Sequence, residues 1–401
     1  MNIFKKIFCR VYQSVFYLAM PLLPYREPEL HKSLQDIPDY LKSQGVSSAL
    51  LITDSYLYAS GSAKQIAEIL EEKGIGCAVY HDTRPNPTVK NVEEALKLYK
   101  EHNCQGIIAF GGGSPIDCAK AVGARVAYPK KHLNKLKGIL RVMRKLPPLV
   151  AVPTTAGTGS EVTVAAVITD DEKKHKYTIN SFPLIPHCAV HDPQVTVTLP
   201  QHLTSTTGMD ALTHAIEAYI GRSTTKATRR MSLEAVRLIF ENIEVAYNDG
   251  TNIKARENML RASYLAGNAF SHSYVGYIHA VAHSLGGQYN IPHGLANSVL
   301  LPVVLEDYGK AVHKKLHKLA VAAGVATDSE SASVAAEKFI CAIRDMNSRM
   351  NIPQTLEGIR EEDIPLMAKH ADKEANPLYP VPVLMDAKQL RKFYYKVADW
   401  S

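Results

Sequence analysis

The chain has 401 residues, a length that suits two domains or one large one. With 46% hydrophobic residues, 21% charged residues and a net charge of +7, it is too apolar and too weakly charged for a disordered chain, and it has no run of about 18 apolar residues to span a membrane. Its six cysteines (Cys9, Cys77, Cys104, Cys118, Cys188 and Cys341) are scattered without a CxxC pair, which fits a cytoplasmic protein and excludes a thiolate zinc cluster of the usual spacing.

The first element in chain order is an amphipathic helix. Ile3, Phe4, Ile7, Phe8, Val11, Tyr12, Val15, Phe16, Ala19 and Met20 recur in pairs every four residues. Lys5, Lys6 and Arg10 fall among them, and the stretch ends in Pro21-Leu22-Leu23-Pro24. A signal peptide would place its basic residues before a continuous apolar core and end in small residues, so the pattern disfavours one. Residues 1–24 read as an N-terminal extension packed on protein, with a second subunit or a membrane surface as the alternative supports.

Val46 to Asp54 reads as a buried strand ending in a polar loop. A helix over Ser62 to Lys73 follows, closed by Gly74, and then a strand at Cys77 to Tyr80. Pro85 to Thr88 is a turn whose threonine caps a helix from Val89 to His102. Gly106 to Phe110 is a strand that runs into Gly111-Gly112-Gly113-Ser114-Pro115 and another helix. Lys130, Lys131, Lys135, Lys137, Arg141, Arg144 and Lys145 form an acid-free run. It reads as a solvated face, with a nucleic-acid or membrane footprint as the alternative, and the lack of interleaved aromatics argues against single-strand binding. Leu149 to Pro153 is the next strand, and Val162–Thr169 with Lys176–Asn180 reads as a β-hairpin around 170–174. From Pro200 onward the amphipathic runs are helical, near 208–222, 226–247, 253–271, 276–289, 296–323, 329–350 and 387–399. The pattern predicts an α/β domain with a parallel, Rossmann-like sheet over 1–199 and an all-α domain over 200–401.

Three constellations carry chemistry. Gly111, Gly112, Gly113 and Ser114 lie between a strand and a helix, where backbone amides and the helix dipole receive a pyrophosphate. Pro153 to Glu161 follows another strand with small and hydroxyl residues suited to phosphate or nicotinamide. Asp54, at the end of an earlier strand, is placed to accept from an adenosine ribose hydroxyl. A carboxylate there repels a 2′-phosphate, so NAD is preferred over NADP. In the helical half Asp210 and His214 are four apart, His279 and His283 are four apart, and His293 follows. One carboxylate and three imidazoles match a divalent metal, with iron(II) or zinc suited to mixed nitrogen and oxygen ligands. His31, His81, His187, His313 and His317 read as ordinary core or surface residues.

At these residues the chain resembles the iron-containing (group III) alcohol dehydrogenases. The motifs are Gly-Gly-Gly-Ser-Pro at 111–115, Pro-Thr-Thr-Ala-Gly-Thr-Gly-Ser-Glu-Val-Thr at 153–163, Gly-Met-Asp-Ala-Leu-Thr-His-Ala-Ile-Glu at 208–217, and the segment Gly276 to Asn297. They run in consistent order over roughly residues 46 to 360. The resemblance implies the fold shared with dehydroquinate synthases: an α/β dinucleotide-binding domain, a helical metal-binding domain, and cofactor and metal in the cleft between them. It implies Asp210, His214, His279 and His293 as metal ligands, with iron(II) ahead of zinc. His283 lies near the metal without ligating it and serves proton relay or substrate orientation. It further implies Gly112, Gly113 and Ser114 at the pyrophosphate, Thr154, Thr155 and Thr158 along phosphate and nicotinamide, Asp54 at the NAD ribose, and a homodimer or larger homo-oligomer.

The reaction so implied is reversible hydride transfer between a primary alcohol or diol and the nicotinamide. Glycerol dehydrogenases and dehydroquinate synthases share the broad fold and are the alternative reading. A membrane-associated binding protein with a vestigial site is the remote one. Three features depart from the family: the basic N-terminal helix, the heavy basic run at 130–145, and His272 and Ser273 where an asparagine is common near the substrate. These bear on substrate identity rather than on reaction class.

Overall fold

Apolar residues follow one another without polar alternation in the strands of the first half, as they do in a sheet covered on both faces. The computed structural model of the chain describes residues 1–171 and 175–400. In chain order it runs α1 (Ile3–Ala19), β1 (Glu29–His31), α2 (Ile37–Ser43), β2 (Ser48–Ile52), α3 (Ser55–Ala59), α4 (Ser62–Glu72), β3 (Gly76–Tyr80), α5 (Val89–Glu101), β4 (Gly106–Gly111), α6 (Gly113–Ala127), β5 (Gly138–Ile139), β6 (Leu149–Pro153), β7 (Ala165–Asp170), β8 (His175–Asn180) and β9 (Cys188–Val190). Helices follow: α7 (Gln201–Ile220), α8 (Lys226–Asn248), α9 (Ile253–Ser273), α10 (Tyr277–Tyr289), α11 (His293–Tyr308), α12 (His313–Ala322), α13 (Ala332–Arg349), α14 (Ile364–Ala375) and α15 (Ala387–Val397).

The chain divides into two compact units, Pro24–Thr198 and Met1–Leu23 with Leu199–Ser401. The α/β unit holds a six-stranded sheet in the order β1-β9-β6-β4-β2-β3, parallel throughout. Leu50, Ile52, Ile107 and Ala109 pack on one face under Val92 and Leu96 of α5 and Ile116 and Ala119 of α6. Ala49, Leu51, Ile108 and Phe110 pack on the other under Ile37 and Leu41 of α2 and Ala63 and Ile66 of α4. This period of two, buried on both sides, is what the apolar runs encode. Thr88 caps α5 as expected, its hydroxyl accepting from Asn91 N at 3.2 Å.

The strand order reverses at β2. The chain leaves β2 toward β3 on one side and returns to β4 on the other. Ligands of open α/β sheets bind outside the carboxyl ends of strands at such a reversal. Here the reversal lies between Asp54 after β2 and Gly111 to Ser114 after β4. A small second sheet, β5-β8-β7, pairs β7 with β8 antiparallel, Ala165 opposite Asn180. Residues 172–174 of the expected hairpin turn lie outside the described residues.

The helical unit departs from the expected pattern in three ways. The run expected over 296–323 is two helices, because Gly309 takes a left-handed φ of 49° between α11 and α12. The helix α14 lies where no run is expected; its buried side is largely alanine, with Ala368, Ala371 and Ala375 beside Ile364 and Met367. Residues 1–23 belong with this unit and not with an α/β domain over 1–199, since Arg10 and Gln13 hydrogen-bond to backbone carbonyls between Pro377 and Pro382. Among the described residues no helix is long and apolar enough to cross a membrane.

Candidate metal and dinucleotide sites

Helix α7 is buried along most of its second half, so any polar side chain there needs a partner. Asp210, His214 and Glu217 recur at spacings of four and three and share one helical face. Helix α10 brings His279 and His283, and α11 begins at His293. One ligand atom each from Asp210, His214, His279 and His293 lies within 4.8 Å of all the others. Asp210 Oδ1 is 3.5 Å from His293 Nε2 and 3.7 Å from His279 Nε2, and Asp210 Oδ2 is 4.0 Å from His214 Nδ1. The His214 ring stacks on Phe270 of α9 at 4.2 Å and on His279 at 4.4 Å.

These residues fit a divalent cation. His279 Nε2 is buried and has no hydrogen-bond partner among the described residues. Its other nitrogen, Nδ1, lies 2.7 Å from Glu217 Oε2, so Nδ1–H donates to the carboxylate and the Nε2 lone pair faces the cluster. Burial raises the Asp210 carboxyl, but His214, His293 and His279 outweigh it and hold the group well below its ordinary value. Burial pulls the His279 imidazole down, yet Asp210 and Glu217 bring it to about 9. Burial, together with His283, His279 and His214, pulls the His293 imidazole well below its ordinary value despite Asp210. Three imidazole nitrogens and one carboxylate are a donor set that suits iron(II) or zinc.

Sequence reasoning gives no role to Glu217 or Asn297. Glu217 is 3% exposed and accepts from Gly276 N at 2.7 Å and Ile278 N at 2.9 Å as well as from His279. A single glutamate thus fixes the start of α10 and the tautomer of its histidine. Only glycine fits at 276, because a Cβ would stand 2.5 Å from Glu217 Oε1. Asn297 Nδ2 donates to Asp210 Oδ1 at 2.7 Å and lies 3.1 Å from His293 Nε2. The one available signal is a glutamate set among Ala215, Ile216, Ala218 and Tyr219, where burial demands a partner.

His283 lies beside the cluster rather than in it. Its ring stacks on His293 at 5.1 Å and 19°, and its Nδ1 is 2.6 Å from Glu374 Oε1 of α14. The Tyr379 hydroxyl donates to the same oxygen at 2.8 Å. Burial raises Glu374, but His283 and Tyr379 together hold it below its ordinary value. Ser273 is fully buried and its hydroxyl donates to Ala269 O at 2.6 Å, so it lines no substrate surface. His272 Nδ1 lies 2.8 Å from Asn268 O.

In the α/β unit the two hydroxyl- and glycine-rich loops meet, because β4 and β6 are neighbours. Thr154 N donates to Gly111 O at 3.0 Å, Thr155 packs on Gly112, and a Cβ at Gly113 would stand 2.9 Å from Thr158 Cγ2. Gly112 is the N-cap of α6, and the Ser114 hydroxyl accepts from Asn86 N at 3.2 Å. Asp54 caps α3, with Oδ1 accepting from Leu57 N at 2.9 Å. Lys120, fully buried on α6, carries no signal in the sequence pattern. It donates to Ser160 Oγ at 3.2 Å, Thr163 O at 3.0 Å, Thr163 Oγ1 at 2.9 Å and Ala165 O at 2.8 Å, tying the threonine loop to the helix.

Burial pulls the Lys120 ammonium down from 10.5 to about 8, although Asp117 and Glu161 raise it. Between these pH values the unfolded chain holds a proton that the folded chain has released. Stability contributed by Lys120 therefore rises with pH across that window. The difference in unfolding free energy between wild type and Lys120→Met is expected to grow from pH 8 toward 10.5. Urea titrations of both proteins across the range test this, and a constant difference would leave Lys120 a packing role alone.

Family models for iron-containing alcohol dehydrogenase and for the Fe-containing alcohol dehydrogenase family, C-terminal, match residues 30–193 and 204–397. The chain is 42% identical over 339 residues to the 1,3-propanediol dehydrogenase of Citrobacter freundii, covering 84% of this chain and 87% of that protein. It is 36% identical over 366 residues to the NAD-dependent methanol dehydrogenase of Bacillus methanolicus, covering 90% and 95%. A crystal structure of 1,3-propanediol oxidoreductase superposes with a TM-score of 0.89 at 37% identity, covering 94% of this chain and 99% of that one.

Proposed function

The chain belongs to the iron-containing alcohol dehydrogenase family, and from that membership we propose that Asp210, His214, His279 and His293 hold a divalent cation, iron(II) ahead of zinc. It is an NAD-linked alcohol dehydrogenase and aldehyde reductase. The substrate we assign is a primary alcohol or a diol, as in the names of the propanediol and methanol enzymes. The observation that carries the metal assignment is the buried Nε2 of His279, left without a hydrogen bond while Glu217 holds Nδ1. NAD is assigned to Gly111, Gly112, Gly113 and Ser114 with Thr154, Thr155 and Thr158, and Asp54 favours it over NADP. A homodimer or larger homo-oligomer is the assembly we infer. The six cysteines, all free thiols, support a cytoplasmic location.

When bound, the metal held by Asp210, His214, His279 and His293 would supply Lewis acidity at the alcohol oxygen, and NAD at the glycine turn would supply the hydride acceptor. The residues of the chain do the rest. Asp210 sets the charge of the cluster, and Glu217 fixes the tautomer of His279. Glu374 accepts from His283 Nδ1–H, leaving His283 Nε2 to take the proton that alcohol oxidation releases. Tyr379 orients Glu374, which balances the imidazolium so formed. Phe270 covers one face of His214 against water. The amides at the start of α6 receive the pyrophosphate.

Metal-stripped protein is expected to make no NADH, and anaerobic iron(II) or zinc to restore it across primary alcohols and 1,2-diols. In the same assay His283→Ala should retain its metal while kcat falls by about 10²-fold, the smaller end of general acid–base effects. Full turnover without metal would overturn the assignment.

A further inference from the structure

Helix α1 faces the protein with its polar side. Its buried residues are Cys9 and Gln13. Gln13 Nε2 donates to Pro377 O at 3.0 Å and Tyr379 O at 2.8 Å. Arg10 donates to Val381 O at 2.8 Å and Pro382 O at 3.0 Å, and Lys5 Nζ to Asp372 at 2.9 Å. Asn2 caps the helix, accepting from Lys5 N at 3.0 Å. The apolar stripe points the other way. Phe4 is 78% exposed, Phe8 60%, Val15 63% and Leu18 73%, with Ile3, Ile7 and Val11 also above half. A surface helix of a water-exposed protein turns such a stripe toward the core. Here hydrogen bonds, with Phe16 packed edge-on against Tyr274 at 5.2 Å, hold the helix down and leave most of its apolar face outermost.

We propose that α1 is an interfacial membrane anchor, whose outer face enters the headgroup–acyl boundary of an anionic bilayer. The charge fits that occupant: no Asp or Glu precedes Glu27, and Lys6 is exposed, whereas Lys5 is paired with Asp372 and Arg10 with the carbonyls of Val381 and Pro382. Lys6 is exposed and borders a groove with Ile7, Val11, Val383 and Leu384, where its ammonium reaches lipid phosphates while apolar neighbours enter the acyl region. A second copy fits less well. A helix of 17 residues offers a face of roughly 25 Å by 10 Å, about 250 Å². A stable interface needs about 800 Å² per partner, more than this face alone supplies. The contact is peripheral, since no described helix is long and apolar enough to span a membrane.

The test is flotation of the full-length, metal-loaded enzyme with phosphatidylcholine–phosphatidylglycerol vesicles against phosphatidylcholine alone. The protein is expected to float with the anionic vesicles and to be released by salt. The triple variant Phe4→Glu, Phe8→Glu, Val15→Glu should float at least about 10-fold less and keep its solution activity, because these side chains face solvent. Lys6→Glu should weaken flotation several-fold. Wild-type protein that stays unbound, or a triple variant that floats equally well, overturns the proposal. So does a wild type that ignores vesicles but forms an assembly which the triple variant breaks, since the face would then belong to a second copy.

Discussion

Asp210→Ala is expected to lose metal and turnover together, with kcat/KM down by at least about 10³-fold, the order set by several kcal/mol of Lewis-acid stabilisation. Asp210 is the one carboxylate in the cluster and is 2% exposed. Its Oδ1 stands 3.5 and 3.7 Å from two of the three imidazoles, so it supplies the negative charge that offsets a dication in a buried place. Alanine leaves three imidazoles, two of them buried, as the remaining donors, with no carboxylate to offset the charge of a dication. Asp210→Asn is the sharper variant. It keeps the volume and the contact with Asn297 but not the charge, and should show most of the same loss. Elemental analysis alongside NADH kinetics reads both. Stoichiometric metal retained with full rate in either protein would remove Asp210 from the ligand set.

The sequence carries the parts of this site that a single helix repeats. Asp210 with His214, and His279 with His283, share faces because 3.6 residues make a turn, and that spacing is plain in the linear order of residues alone. The glycine turn and the threonine loop are legible for a similar reason, since each follows an apolar run that can only be a buried strand. Glu217 is not legible: its partners Gly276, Ile278 and His279 lie about sixty residues away and meet it through packing alone. Lys120 is hidden in the same way, its acceptors lying on a loop forty residues downstream. The strands β1 and β9, three residues each, are too short to show a period. For α1 the periodicity shows that an apolar face exists but not where it points, because orientation depends on Gln13 and Arg10 finding carbonyls near residue 380.

Glu217→Gln should weaken metal binding by about 10- to 100-fold, the usual cost of disturbing a carboxylate behind a ligating histidine. The carboxylate accepts from three N–H groups: Gly276 N and His279 Nδ1 at Oε2, and Ile278 N at Oε1. A glutamine of the same shape has only one accepting oxygen. With that oxygen at the Oε2 position, its amide NH₂ confronts the Ile278 N–H. In the opposite orientation it confronts Gly276 N and His279, and the imidazole must give up the tautomer that directs Nε2 to the metal. The glutamine variant should therefore fold, melt lower than wild type and bind metal poorly. Glu217→Ala goes further. It leaves three buried donors without an acceptor, at about 1–3 kcal/mol each, a loss comparable with the roughly 5–15 kcal/mol that holds a domain together. Gly276→Ala, which touches no ligand, should reproduce the glutamine phenotype, since its Cβ would displace Glu217 Oε1 from a 2.5 Å approach. Isothermal titration of metal-free proteins with zinc, paired with thermal melts, separates the two effects. If Glu217→Gln binds as tightly as wild type, the carboxylate serves only the start of α10. If Gly276→Ala also binds normally, the helix start and the metal site are mechanically independent.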